Sequence, residues 1–63
     1  MEILLKDLLA LICEENVVLY DSDINTITYI GDVKILNKSG YKGGYPVDSI
    51  GLDDENNYIE IWV

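Results

Sequence analysis

The strongest constraint on this chain is a change of hydrophobic period at Glu15-Asn16. Before it, apolar residues recur at helical spacing; after it, they run together or alternate as in strands. At about 100° per residue, Leu4, Leu5, Leu8, Leu11 and Ile12 share one arc, with Leu9 at its edge. Glu2, Lys6, Asp7 and Glu14 lie opposite, while Ile3 and Cys13 fall outside the stripe. Residues 2 to 15 are therefore predicted as a helix. It barely reaches the roughly 12 to 15 residues at which an isolated helix becomes marginal. Packing of its leucine face onto a sheet must hold it.

Val17-Val18-Leu19-Tyr20 is β-branched and aromatic, Asp21 to Asn25 has turn chemistry, and Thr26 to Ile30 alternates. The two runs predict an antiparallel hairpin. Gly31-Asp32 is either a bulge or a strand end, and Val33 to Leu36 either continues the strand or makes one helical turn. Three glycines and a proline within residues 37 to 46 argue for a loop. Val47 to Leu52 is expected as a short strand, Asp53 to Asn57 as a turn, and Tyr58 to Val63 as a closing strand. Residues 1 to 63 thus predict a single small α+β domain. One N-terminal helix packs on a three- to four-stranded, mostly antiparallel sheet.

At 63 residues such a domain buries only about 60% of its unfolded surface, so a monomer is marginal. A single cysteine cannot form an internal disulfide, and without histidine a structural zinc has almost no ligands. Self-association is the remaining staple, and a homodimer is expected. Met1 to Cys13 is interrupted by Lys6 and Asp7, has no basic leader, and is too short to span a bilayer. A cytoplasmic protein with Cys13 as a reduced thiol is expected.

Twelve carboxylates against four lysines give a net charge of −8. A phosphate backbone needs several cationic contacts, so direct nucleic-acid and anionic-membrane partners are excluded from the expectation. A protein partner with a basic surface remains. The carboxylates gather in the turns at Asp21, Asp23, Asp53, Asp54 and Glu55, and Lys34, Lys38 and Lys42 fall in the middle segment. The pattern suggests a dipolar surface.

Asp21-x-Asp23-x-Asn25 followed by Asp32 has the alternating oxygen ligands of a calcium loop. Thr26 stands where glycine is required, however, Asp32 is shorter than the usual bidentate glutamate, and the flanks read as strands. A hairpin turn is the stronger reading, and no metal or cofactor is expected. With no histidine as base and no arginine as anion clamp, catalysis has little to stand on. Cys13 lies beside Glu14 and Glu15, which disfavour a thiolate. The chain is read as a non-enzyme.

The candidate partner-binding residues fall in three groups. Tyr41, Lys42 and Tyr45 lie in the glycine-rich stretch 38 to 45, whose composition suits contact surfaces. Its backbone amides and Lys38 and Lys42 could alternatively cradle an anion, although the Gly-Lys-Ser/Thr ending of a nucleotide loop is missing. Tyr58 and Trp62 alternate with Ile59, Ile61 and Val63, so they point away from the helix and are left in water. Against this, Trp62 could fold over a sheet edge of its own subunit. The C-terminal strand could instead pair edge to edge with a twofold mate. Asp53, Asp54 and Glu55 form an acidic turn.

The leucine-rich start, the segment VVLYDSDINTITYIGDV and the terminal YIEIWV resemble short uncharacterised proteins of prophages and mobile elements in low-GC Gram-positive bacteria. The resemblance implies a context in which very small acidic proteins inhibit host defence systems by stoichiometric binding, as anti-CRISPR proteins do. Such an interaction protein is the first functional expectation. A small-ligand or nucleotide-binding module using the loop 38 to 45 is the alternative.

Overall fold

The computed structural model describes residues 2–12 and 15–63. Helix α1 (Leu5–Leu11) is followed by strands β1 (Asn16–Asp21) and β2 (Thr26–Asp32), helix α2 (Val33–Ser39), and strands β3 (Ser49–Asp53) and β4 (Tyr58–Trp62). The strands form one sheet in the order β2-β1-β4-β3. The expected α+β fold is present and the sheet is mostly antiparallel. The hairpin β1/β2 and the pair β3/β4 are antiparallel, whereas β1 and β4 run parallel.

The core joins Leu5 and Leu9 of α1, Val33 and Leu36 of α2, Val17 and Leu19 of β1, and Ile61 of β4. Both helices thus cover the same face of the sheet. Tyr29, Ile59 and Val63 pack against this cluster from the same side, consistent with the period of two along each strand.

Several expectations need correction. A second helix was not foreseen as more than one turn. Asp32 starts it, since its Oδ1 accepts the N–H groups of Lys34 and Ile35 at 2.7 and 3.4 Å. This is the interaction that makes aspartate a strong N-cap. Gly40, at φ 72°, ends it in the left-handed conformation that glycine adopts without steric cost. Lys38 and Ser39 therefore belong to α2, and the loop begins only at Gly40.

Helix α1 is shorter than the predicted 2 to 15, and its buried side is rotated. Leu9 is buried while Leu11 is 80% exposed. The centre of the apolar arc moves by about 50° toward Leu9, because the loop after α2 approaches α1 on that flank. There a Cβ on Gly43 would lie 3.3 Å from Lys6 Cβ. The expected thiol at Cys13 and its neighbour Glu14 lie outside the described residues.

The C-terminal strand is not an edge. β4 is hydrogen-bonded to β1 on one side and to β3 on the other, so it has no open side for a twofold mate.

Candidate interaction surface

Three groups of residues were expected to meet a partner, and the fold places them apart. The β1–β2 turn leaves the sheet after Asp21, whereas the β3–β4 turn enters it at Tyr58, which pairs with Asn16. The carboxylates of Asp53, Asp54 and Glu55 therefore sit at one end of β1 and those of Asp21 and Asp23 at the other. With six residues in β1 the two ends are roughly 17 Å apart. The expected dipole, with all acidic turns at one end, is not what the fold builds.

The loop group lies at the Asp21 end. Lys42 Nζ donates to Asp21 Oδ2 at 3.0 Å and lies 5.7 and 5.4 Å from the ring centroids of Tyr41 and Tyr45. The charge partner and the two electron-rich ring faces together fix this cation. The Lys42 hydrogen bond holds the Asp21 carboxyl below its ordinary range, with the Asp23 N–H helping. The same bond raises the Lys42 ammonium.

The loop's backbone is turned inward. Leu5 and Lys6 donate to the carbonyls of Tyr45 and Gly43 at 2.9 and 3.0 Å, and Val47 donates to Ile3 at 2.7 Å. The first two of these bonds serve the first amides of α1, which has no side-chain cap. The Gly43 and Tyr45 amides donate to Gly40 and Lys42. The left-handed Gly40 and the absence of a Cβ at Gly43, which would stand 3.3 Å from Lys6 Cβ, let the segment dock on α1, and the Gly43 and Tyr45 amides face no incoming anion.

The alternating aspartates do not gather either. Asp21 pairs with Lys42 and Asp32 caps α2 from the opposite end of the hairpin. Among the described residues no group of three or more metal-ligating side chains is brought together. No described helix is long and apolar enough to cross a membrane.

The third group is different. Tyr58 and Trp62 do lie on the face opposite the helices. Trp62 stacks on Tyr20 with ring centroids 4.6 Å apart and planes 7° from parallel. It also leans over β3, since a Cβ on Gly51 would meet the indole at 3.5 Å. Trp62 thus faces away from the helices as expected, but it folds over its own sheet, and neither it nor Tyr58 is left in water, since both are half-buried.

Tyr20 Oη donates to Glu60 Oε2 at 3.2 Å. Burial of the phenol, and then the neighbouring carboxylate of Glu60, push Tyr20 above its ordinary value of 10.0. Beside Tyr20, the cross-strand partners bring Ile30 next to Val18 and Ile27 next to Tyr20. Ile30 and Ile27 remain 54% and 45% exposed. The result is an apolar and aromatic band across β2, β1 and β4 with one carboxylate set into it and no helix over it.

Tyr20, Ile27, Ile30 and Glu60 were missed from sequence. The run Val17 to Tyr20 is apolar throughout, so its period does not tell one face from the other. Only the parallel register of β1 on β4, which sets Tyr20 opposite Trp62, aligns the two aromatic residues. No family model matches the chain, and no curated protein or solved structure is similar to it.

Proposed function

We propose that this chain is a non-catalytic binding protein that acts one-to-one on a protein partner, docking it through the outer sheet face. The observation that carries the reading is the band with no helix over it, in which Ile27 and Ile30 are exposed beside the half-buried pair Tyr20 and Trp62. Large aromatic side chains in such a setting are what dominates the energy of protein interfaces. The net charge of −8, with Glu60 inside the band, favours a partner whose contact surface is basic. The prophage resemblance supplies the context of this proposal: inhibition of a host defence complex in the bacterial cytoplasm.

The test is expression in a bacterial host whose defence system restricts a phage. The wild-type chain restores plaque formation, and Ile30→Glu, which puts a charge into the band, does not. Tyr41→Ser in the loop behaves as wild type. Restoration by Ile30→Glu would remove the docking face, and no restoration by the wild type across a panel of defence systems would remove the inhibitory role. Calorimetry with the captured partner then reads a stoichiometry of one, with affinity that falls as salt rises.

A further inference from the structure

β3 is one edge of the sheet. It contributes no side chain to the buried core, yet it carries Ile50 at 52% and Leu52 at 72% exposure on the helix-covered face. The helices stop short of it. An edge strand with two bare aliphatic side chains is a template for another strand unless something blunts it. Residues 49 to 53 contain no proline and no lysine, their one charge is Asp53 at the end, and the register with β4 is unbroken from Ser49 to Asp53. The other edge is blunted. β2 has a register irregularity opposite Leu19/Tyr20 and a glycine at φ 153°, and bulged strands twist away from pairing.

We propose that β3 pairs antiparallel with β3 of a second copy about a twofold axis at Gly51, making one continuous eight-stranded sheet. The sequence of β3 is self-complementary in that register. Ile50 of each copy faces Leu52 of the other, closing the bare aliphatic shelf beside Ile59. Ser49 faces Asp53, a hydroxyl donor opposite a carboxylate. Gly51 faces itself, with the Glu60 carboxylate and the Trp62 indole of each copy beside it on the outer face. A second copy is therefore the occupant whose chemistry fits this edge.

The register also fixes how salt acts. One step beyond each end of the seam, Asp48 of one copy faces Asp54 of the other, and opposed like charges oppose pairing. Each copy adds a net charge of −8. Screening therefore tightens this association, opposite to a charge-attracted heterologous partner. The seam is about 14 Å long, at the small end for an interface. The dimer belongs to concentrations of roughly tens to hundreds of micromolar. Tyr20, Ile27 and Ile30 of the proposed docking face lie on β1 and β2, away from this seam, and only Trp62 is near both.

Sedimentation equilibrium from about 20 to 500 µM, in about 50 and 500 mM NaCl, tests it. The wild type is expected to dimerise severalfold more tightly in the higher salt. Leu52→Glu is expected to stay monomeric with an unchanged circular dichroism spectrum, and Ile27→Glu on the other edge to dimerise as wild type. A wild type that is monomeric at the highest concentration and salt overturns the proposal, as does a dimeric Leu52→Glu or a monomeric Ile27→Glu. The register has its own test in a Cys13→Ser background. Two Gly51 Cα atoms paired across a twofold lie about 4.5 to 5.5 Å apart, within disulfide reach. Gly51→Cys is expected to oxidise to a covalent dimer, whereas Asp23→Cys at the far turn is not. Equal cross-linking of the two would overturn the register.

Discussion

The ring of Tyr20 lies parallel to that of Trp62 at 4.6 Å, tying β1 to β4 across their parallel pairing. Trp62 is the only tryptophan, so its fluorescence reports on Tyr20 directly. The Tyr20 phenol is held above its ordinary 10.0, first by burial and then by Glu60. A raised value in the folded state favours the protonated form. The stabilisation is therefore complete below the ordinary phenol value and is lost as pH rises through the value Tyr20 has in the fold. Emission of Trp62 is expected to fall along that titration, with a midpoint above 10. Glu60→Gln should lower the midpoint only part of the way, because burial remains. An unchanged midpoint would mean that Glu60 does not act on Tyr20.

The pair Asp21–Lys42 gives stability a slope at the acid end. The Asp21 carboxyl is lowered mainly by its bond to Lys42. Its contribution is present above the ordinary carboxylate range and is lost as pH falls through the lowered value. Thermal melts of the wild type and Asp21→Asn should converge toward low pH and separate near neutrality. Parallel melting curves at every pH would show that the pair contributes nothing.

The rotation of α1 separates two leucines that look alike in sequence. Leu9 is buried and Leu11 is not. Leu9→Ala should cost about 2–5 kcal/mol, while Leu11→Ser should stay within about 0.5 kcal/mol. A chain of this size has in all about 3–9 kcal/mol. Urea titration should accordingly find a much lower midpoint for Leu9→Ala and one close to wild type for Leu11→Ser. Equal midpoints would place α1 in the orientation that the leucine stripe alone suggests.

Near the end of β2 stands Gly31, at φ 153°. A Cβ there would stand 3.0 Å from Tyr29 Oη, which is itself held by the Asp32 carbonyl at 2.8 Å. Gly31→Ala should destabilise by about 1–3 kcal/mol, read as a lower melting temperature. Replacing Tyr29 by Phe in the same chain removes the nearest atom and should recover part of the loss.

What could be read from sequence follows where the physics is local. The alternation of Ile59 and Ile61 with Glu60 and Trp62 placed those residues on the correct faces, because side-chain period in a strand is a property of the strand itself. The hairpin of β1 and β2 was equally legible from its turn chemistry. The burial of Leu9 rather than Leu11 was not, since it depends on where Gly43 and Tyr45 dock. α2 was half visible: Asp32 is a good cap, but Val33 to Leu36 is too short and too apolar for its period to be decided. The place of β4 inside the sheet depends on a pairing between distant segments, and Tyr20 joins the candidate face only through that pairing.

The central position of β4 bears on the order of events in folding. The hairpin β1/β2 with α2 and the hairpin β3/β4 are each built from near neighbours. Their strands meet where β4 lies against β1, and there Tyr20 reaches Glu60 across 40 positions of sequence. Helix α1 likewise waits for Gly43 and Tyr45 to receive its first amides. Closing such long loops precedes the contacts that reward it. The leucine-rich beginning of the chain, despite its strong helical pattern, thus has its first amides satisfied only by a loop about forty residues downstream, so its order is tied to long-range closure rather than to its own sequence.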